Sequence, residues 1–96
     1  MTRNAVKLSA NDNVASALVA LNKGDTAYVG YHDEPLEKVD IIEEVPFGFK
    51  FAVKSITKGA DILKYGVPMG VASRDIKVGE MVHVQNVDGA RGRGDQ

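Results

Sequence analysis

Five residues close to the C-terminal end carry side chains suited to chemistry on an anion. They are His83, Gln85, Asn86, Arg91 and Arg93, all within VHVQNVDGARGRGDQ. Along an extended strand His83 and Gln85 project to one face, and Val82, Val84 and Asn86 to the other. An imidazole exchanges protons near neutral pH. The amides offer donors and acceptors together. Arginine forks pair in bidentate fashion with carboxylates and phosphates, and the intervening glycines let the backbone approach a ligand closely. The pattern therefore fits a polar site rim or a set of interface anchors. Composition alone fits a solvated terminus as well. Arg93-Gly94-Asp95 as a cell-adhesion motif lacks the disulfide-bearing, extracellular context that such a motif needs.

Metal and nucleophile chemistry is thinly supplied. A His-x-His pair would place two imidazoles on one strand face, but Gln85 occupies the second position and is a poor ligand. The other histidine, His32, sits in an HDEP segment that breaks the strand pattern. With no cysteine there is no thiolate ligand, disulfide or thiol nucleophile. Asp33, Glu34, Glu37, Asp40, Glu43 and Glu44 form an acidic stretch that serves either as an acid/base source or, more ordinarily, as a solvated face. KYGVPMG, residues 64–70, reads as a turn between strands and not a phosphate loop, because no helix start follows it. No metal-ligand set is assigned to this chain.

The elements that must position these residues are mostly strands. Ten glycines and three prolines punctuate short apolar runs. Strands are expected within 4–9, 26–30, 39–45, 49–53, 60–65, 69–73 and 81–86. Phe49, Phe51 and Val53 share one face of theirs. One short helix is expected near the N-terminus, where Val14, Ala17, Leu18 and Leu21 fall on a single helical face. Asn11, Asp12 and Asn13 offer caps for it, and Gly24 a stop. A recurring form, apolar residue, two residues, glycine, then strand, appears around Gly24, Gly59 and Gly79. Its unequal spacing excludes a solenoid, and tight turns needing positive φ explain it more simply than duplication does. The expected organisation is one domain over residues 1–86 and a Gly/Arg-rich tail over 87–96.

Composition excludes several classes. Twelve basic residues against thirteen acidic ones give a net charge of -1, not the basic excess of a nucleic-acid binder. No apolar run approaches the ~18 residues of a membrane span, and the first residues lack a signal-peptide core. A cytoplasmic location is expected.

Several segments together resemble the SAF-type module of the altronate and galactarate dehydratases. They are DNVASAL, the run from VPFGFKFAVKSITKGADILKYGVPMG through DIKVGEMVHVQN, and the RGRGD ending. The resemblance implies a mostly-β, β-clip fold with one short helix. It also implies the small subunit of a hydro-lyase, non-autonomous and assisting a larger catalytic subunit. Such an enzyme removes water from a sugar acid to give a 2-keto-3-deoxy acid, using a divalent metal, iron, held mainly by the larger partner. The resemblance implies a catalytic role for His83, and substrate or interface contacts for Gln85, Asn86, Arg91 and Arg93. Ser9, Phe49 and Gln85 stand where the family usually carries histidine, which removes ligands and proton carriers together. Three other readings stand beside this one: a carbohydrate- or anion-binding assembly module without catalysis, the alpha subunit of a sulfolactate sulfo-lyase-like enzyme, and a self-associating homo-oligomeric domain.

Overall fold

A computed structural model describes residues 2–89. Arg91 and Arg93 therefore lie outside the described residues. The strands are β1 (Ala5–Val6), β2 (Val14–Ala17), β3 (Thr26–Gly30), β4 (Glu37–Asp40), β5 (Lys50–Ala52), β6 (Asp61–Lys64), β7 (Val67–Ala72), β8 (Met81–Val82) and β9 (Val87–Asp88). One sheet has the order β4-β3-β1-β2-β5-β8 and the other β6-β7-β9. Within the first, only β1 and β3 run parallel. The last strand lies beyond residue 86, within the segment read from the sequence as a tail.

The expectation of a mostly-β chain holds, but the expected N-terminal helix does not form. Among the described residues there is no helix at all. Val14–Ala17 is instead β2, antiparallel to both β1 and β5. Val14 enters one apolar cluster, while Ala15 and Ala17 enter another. Small side chains on both faces let this strand sit between two cores, and that tertiary demand overrides a helical periodicity carried by only four residues. Leu18, assigned to the buried helical face, is exposed. The expected strand over 81–86 is also shorter. It stops at Val82, and 83–86 form a turn, so His83 and Gln85 do not share a strand face.

Four turns are built alike. In each, an apolar bridge residue is followed by two residues, a glycine, one further residue and a strand. Asp25, Phe49, Ala60 and Glu80 donate their N–H to the carbonyls of Asn22, Pro46, Thr57 and Lys77 at 2.9–3.0 Å. The third turn residue is Gly24, Gly48, Gly59 or Gly79, with φ between 83 and 94°, as type II turns require. The bridge residues pair as Leu21 with Val45 and Ile56 with Ile76. Glycine recurs because the turn needs positive φ, as the sequence indicated, and Pro46-Phe47-Gly48 is a fourth copy hidden by its proline.

The repetition extends beyond the turns, because three of them deliver a strand to an asparagine clamp. Asn4 donates from Nδ2 to Thr26 O (3.3 Å) and accepts from Tyr28 N at Oδ1 (2.6 Å). Asn13 does the same with Asp61 O (2.9 Å) and Leu63 N (2.8 Å). Asn86 does so with Met81 O (2.8 Å) and His83 N (2.9 Å). Each asparagine N–H also donates to the carbonyl of Tyr28, Leu63 or His83, and each asparagine carbonyl accepts from a residue before the turn, Leu18, Val53 or Ser73. The side-chain amide thus stands in for a peptide unit, and a strand (β1, β2 or β9) begins directly after each asparagine.

Two apolar clusters fill the interior. The first gathers Leu21, Val29, Ile41, Val45, Phe51 and Val53, with Phe49 against it, as the alternation of 49, 51 and 53 predicts. The second gathers Val14, Ala52, Ile56, Ile62, Ile76 and Val82.

Candidate functional site

A groove of about 330 Å³ opens beside the second cluster. Buried Ile62 and Val82 form its floor. Lys50 on β5 and His83, just after β8, line it because β5 and β8 pair with Lys50 opposite Val82. Met69 and Val84, both exposed, flank the mouth, and Val87 and Gly89 complete the lining. The His83 ring packs 4.7 Å from the Phe49 ring, tilted by 43°. Burial lowers the pKa of Lys50 from the ordinary 10.5, and the nearby Lys64 ammonium adds to this. Desolvation and a like charge both disfavour the ammonium form.

The other expected site residues are placed differently. Gln85 is exposed in the 83–86 turn. Asn86 is fully buried and its amide is committed to Met81 and His83. His32 lies on the β3–β4 connection, edge-on to Tyr31 and away from the elements that line the groove. Among the described residues no group of three or more His, Asp or Glu is arranged to hold a metal ion. The acidic stretch is largely exposed, with Glu37 pairing with Lys7 at 3.4 Å and Glu43 accepting from Met81 N at 2.8 Å.

Asp12 is a residue that sequence reasoning misassigned. Read as a helix cap, it is instead buried and accepts four backbone N–H groups, from Leu8, Ser9, Tyr65 and Gly66, at 2.7–3.3 Å. Tyr65 and Gly66 both have positive φ, 59 and 73°, as a type I′ hairpin turn needs. Asp12 thereby ties Ser9 to the tip of the β6–β7 hairpin. The signal was the Asp-Asn pair itself, one residue clamping the hairpin tip and the next its strand.

Residues 3–90 match the altronate/galactarate dehydratase SAF domain. The chain belongs to that family. It is 41% identical over 81 residues to an altronate dehydratase of Escherichia coli (strain K12), covering 84% of this chain and 15% of that protein. An altronate dehydratase of Bacillus subtilis (strain 168) is 35% identical over 82 residues, with the same coverage. The (2R)-sulfolactate sulfo-lyase subunit alpha of Chromohalobacter salexigens is 32% identical over 62 residues, 65% of each chain. This SAF chain thus spans about 15% of the length of the dehydratases it matches. The family is one of hydro-lyase context, and the all-β architecture agrees with it.

Proposed function

We propose that this SAF chain is the small, non-autonomous subunit of a sugar-acid hydro-lyase and works beside a larger catalytic chain. The observation that carries the reading is the family match over residues 3–90. A relative that is itself a separate subunit supports the two-chain arrangement. The reaction would remove the proton from C2 of an aldonate or aldarate and expel the C3 hydroxyl as water. The resulting enol becomes a 2-keto-3-deoxy acid. The described residues do not fit a metal site of their own, so a divalent metal, iron in this reading, takes its ligands mainly from the larger chain. His83 stands at the groove wall, Gln85 at its turn, and Asn86 sets the geometry of both. Arg91 and Arg93 serve as carboxylate clamps or interface anchors.

The test is a tagged pull-down at moderate salt, followed by assay of the eluate with ferrous iron and a panel of sugar acids plus sulfolactate. A larger stoichiometric partner and keto-acid product are expected. Sulfite release from sulfolactate instead would favour the sulfo-lyase reading, and no partner with no turnover would favour a binding module. Replacing Arg91 and Arg93 together with alanine should weaken assembly or raise KM, and an unchanged profile would remove them from the reading.

A further inference from the structure

Two cavities of the described residues differ in how their lysines are compensated. The larger, about 420 Å³, is lined by Lys7, Tyr31, Glu34 and Glu37 among others. Its lysine already pairs with Glu37 at 3.4 Å, and two carboxylates line the space. An added anion would meet more negative charge than positive there. The groove beside Lys50 has the opposite balance. Among the described residues no carboxylate lies within ion-pair distance of Lys50. Lys64, on β6 of the other sheet, is close enough for its charge to act on Lys50. The remaining polar side chain in the lining is His83.

We propose that this groove is a subsite for the carboxylate of a small hydroxy acid, with the Lys50 ammonium as its ion-pair partner and the His83 ring as a second donor. The substrate class rests on the dehydratase reading; the anion preference rests on the groove. Ile62 and Val82 form a floor suited to the C–H face of a short carbon chain. Apolar walls weaken solvent screening, so an ion pair formed there attracts more strongly than one in bulk water. The charge on Lys50 is opposed by burial and by Lys64; a bound carboxylate offsets both. The backbone N–H of His83 is committed to Asn86, which leaves the ring as its available donor. The Phe49 ring packs against that ring at 4.7 Å.

The test is a titration of the full 15N-labelled chain with sodium gluconate, followed by amide and His83 ring shifts. Sodium chloride at matched ionic strength and the uncharged polyol glucitol serve as controls. Saturable shifts centred on residues 50 and 82–89 are expected with gluconate and with neither control. Lys50→Met, which keeps the length of the groove wall, should weaken binding about tenfold or more. Lys50→Arg should retain part of it, and Lys7→Ala in the other cavity should leave it unchanged. A well-dispersed Lys50→Met spectrum with undiminished binding overturns the proposal, as do equal shifts from chloride or glucitol. Binding by the isolated chain stands even if no dehydratase partner exists. An active complex indifferent to Lys50→Met would sink the subsite alone.

Discussion

Asn4, Asn13 and Asn86 each satisfy three backbone groups, two through the side chain and one through the backbone N–H. Truncation leaves a backbone N–H and carbonyl without partners, and for a buried pair this costs about 1–3 kcal/mol. Asn86→Ala should therefore lower the unfolding free energy from urea melts by that amount and loosen the turn carrying His83, seen as faster exchange of the His83 amide. The clamps were visible in the sequence only as Asn-Ala-Val, Asn-Val-Ala and Asn-Val-Asp, each too short to be told from a turn or cap. Lys50 makes a second prediction at this scale. Its folded-state pKa is lowered, so below that pKa both states hold the proton and the fold bears the cost of a partly buried ammonium. Between the folded pKa and 10.5 the unfolded chain binds more protons, and stability from this group rises with pH. Lys50→Met should be the more stable protein at pH 7, by a small margin because the head group meets solvent. The margin should vanish as pH passes 10.5 in urea melts. A margin constant in pH would assign the effect to packing.

At the scale of elements, the turn is the repeated device and its glycines are not equivalent. A Cβ on Gly59 meets nothing within 4 Å, whereas one on Gly79 would overlap the Asp40 carbonyl. Gly59→Ala should cost only the left-handed backbone penalty, about 1–2 kcal/mol. Gly79→Ala must also displace β4, and should lower the thermal midpoint well beyond Gly59→Ala. Equal losses would mean that the Asp40 contact yields freely. The strands were largely legible because apolar runs end at these glycines. Thr26–Gly30 is as the sequence reads, and Lys50–Ala52 and Asp61–Lys64 lie inside the expected ranges. Others were not: the strand expected over 39–45 is found over Glu37–Asp40, and residues 67–69, read as part of a turn, belong to β7. β2 imitates a helical face because alanine fits either element, and only its placement between two cores decides. β8 is read too long, through residue 86, because Val84, at the turn, is apolar yet 79% exposed, and β9 falls in the stretch read as a tail. The groove was half legible: His83 has a distinctive type, but Lys50 enters only through the β5–β8 pairing, which no local pattern announces.

For the molecule as a whole, the interior is divided, yet the strands are shared. β2 sends Ala15 and Ala17 to one cluster and Val14 to the other. β5 sends Phe51 to the first and Ala52 to the second. Asn4 and Asn13, only nine positions apart in sequence on the same N-terminal arm, lock β3 and β6 respectively. A chain with two separate cores would ordinarily be able to lose one and keep the other. Here the alternation of a pleated strand makes that impossible, since withdrawing β5 empties both sides at once. Unfolding should therefore be a single all-or-none event, with calorimetric and van't Hoff enthalpies equal and fluorescence and circular dichroism transitions coincident. A mutation in either cluster should shift that one transition and never split it. What the two interiors have in common is a melting temperature.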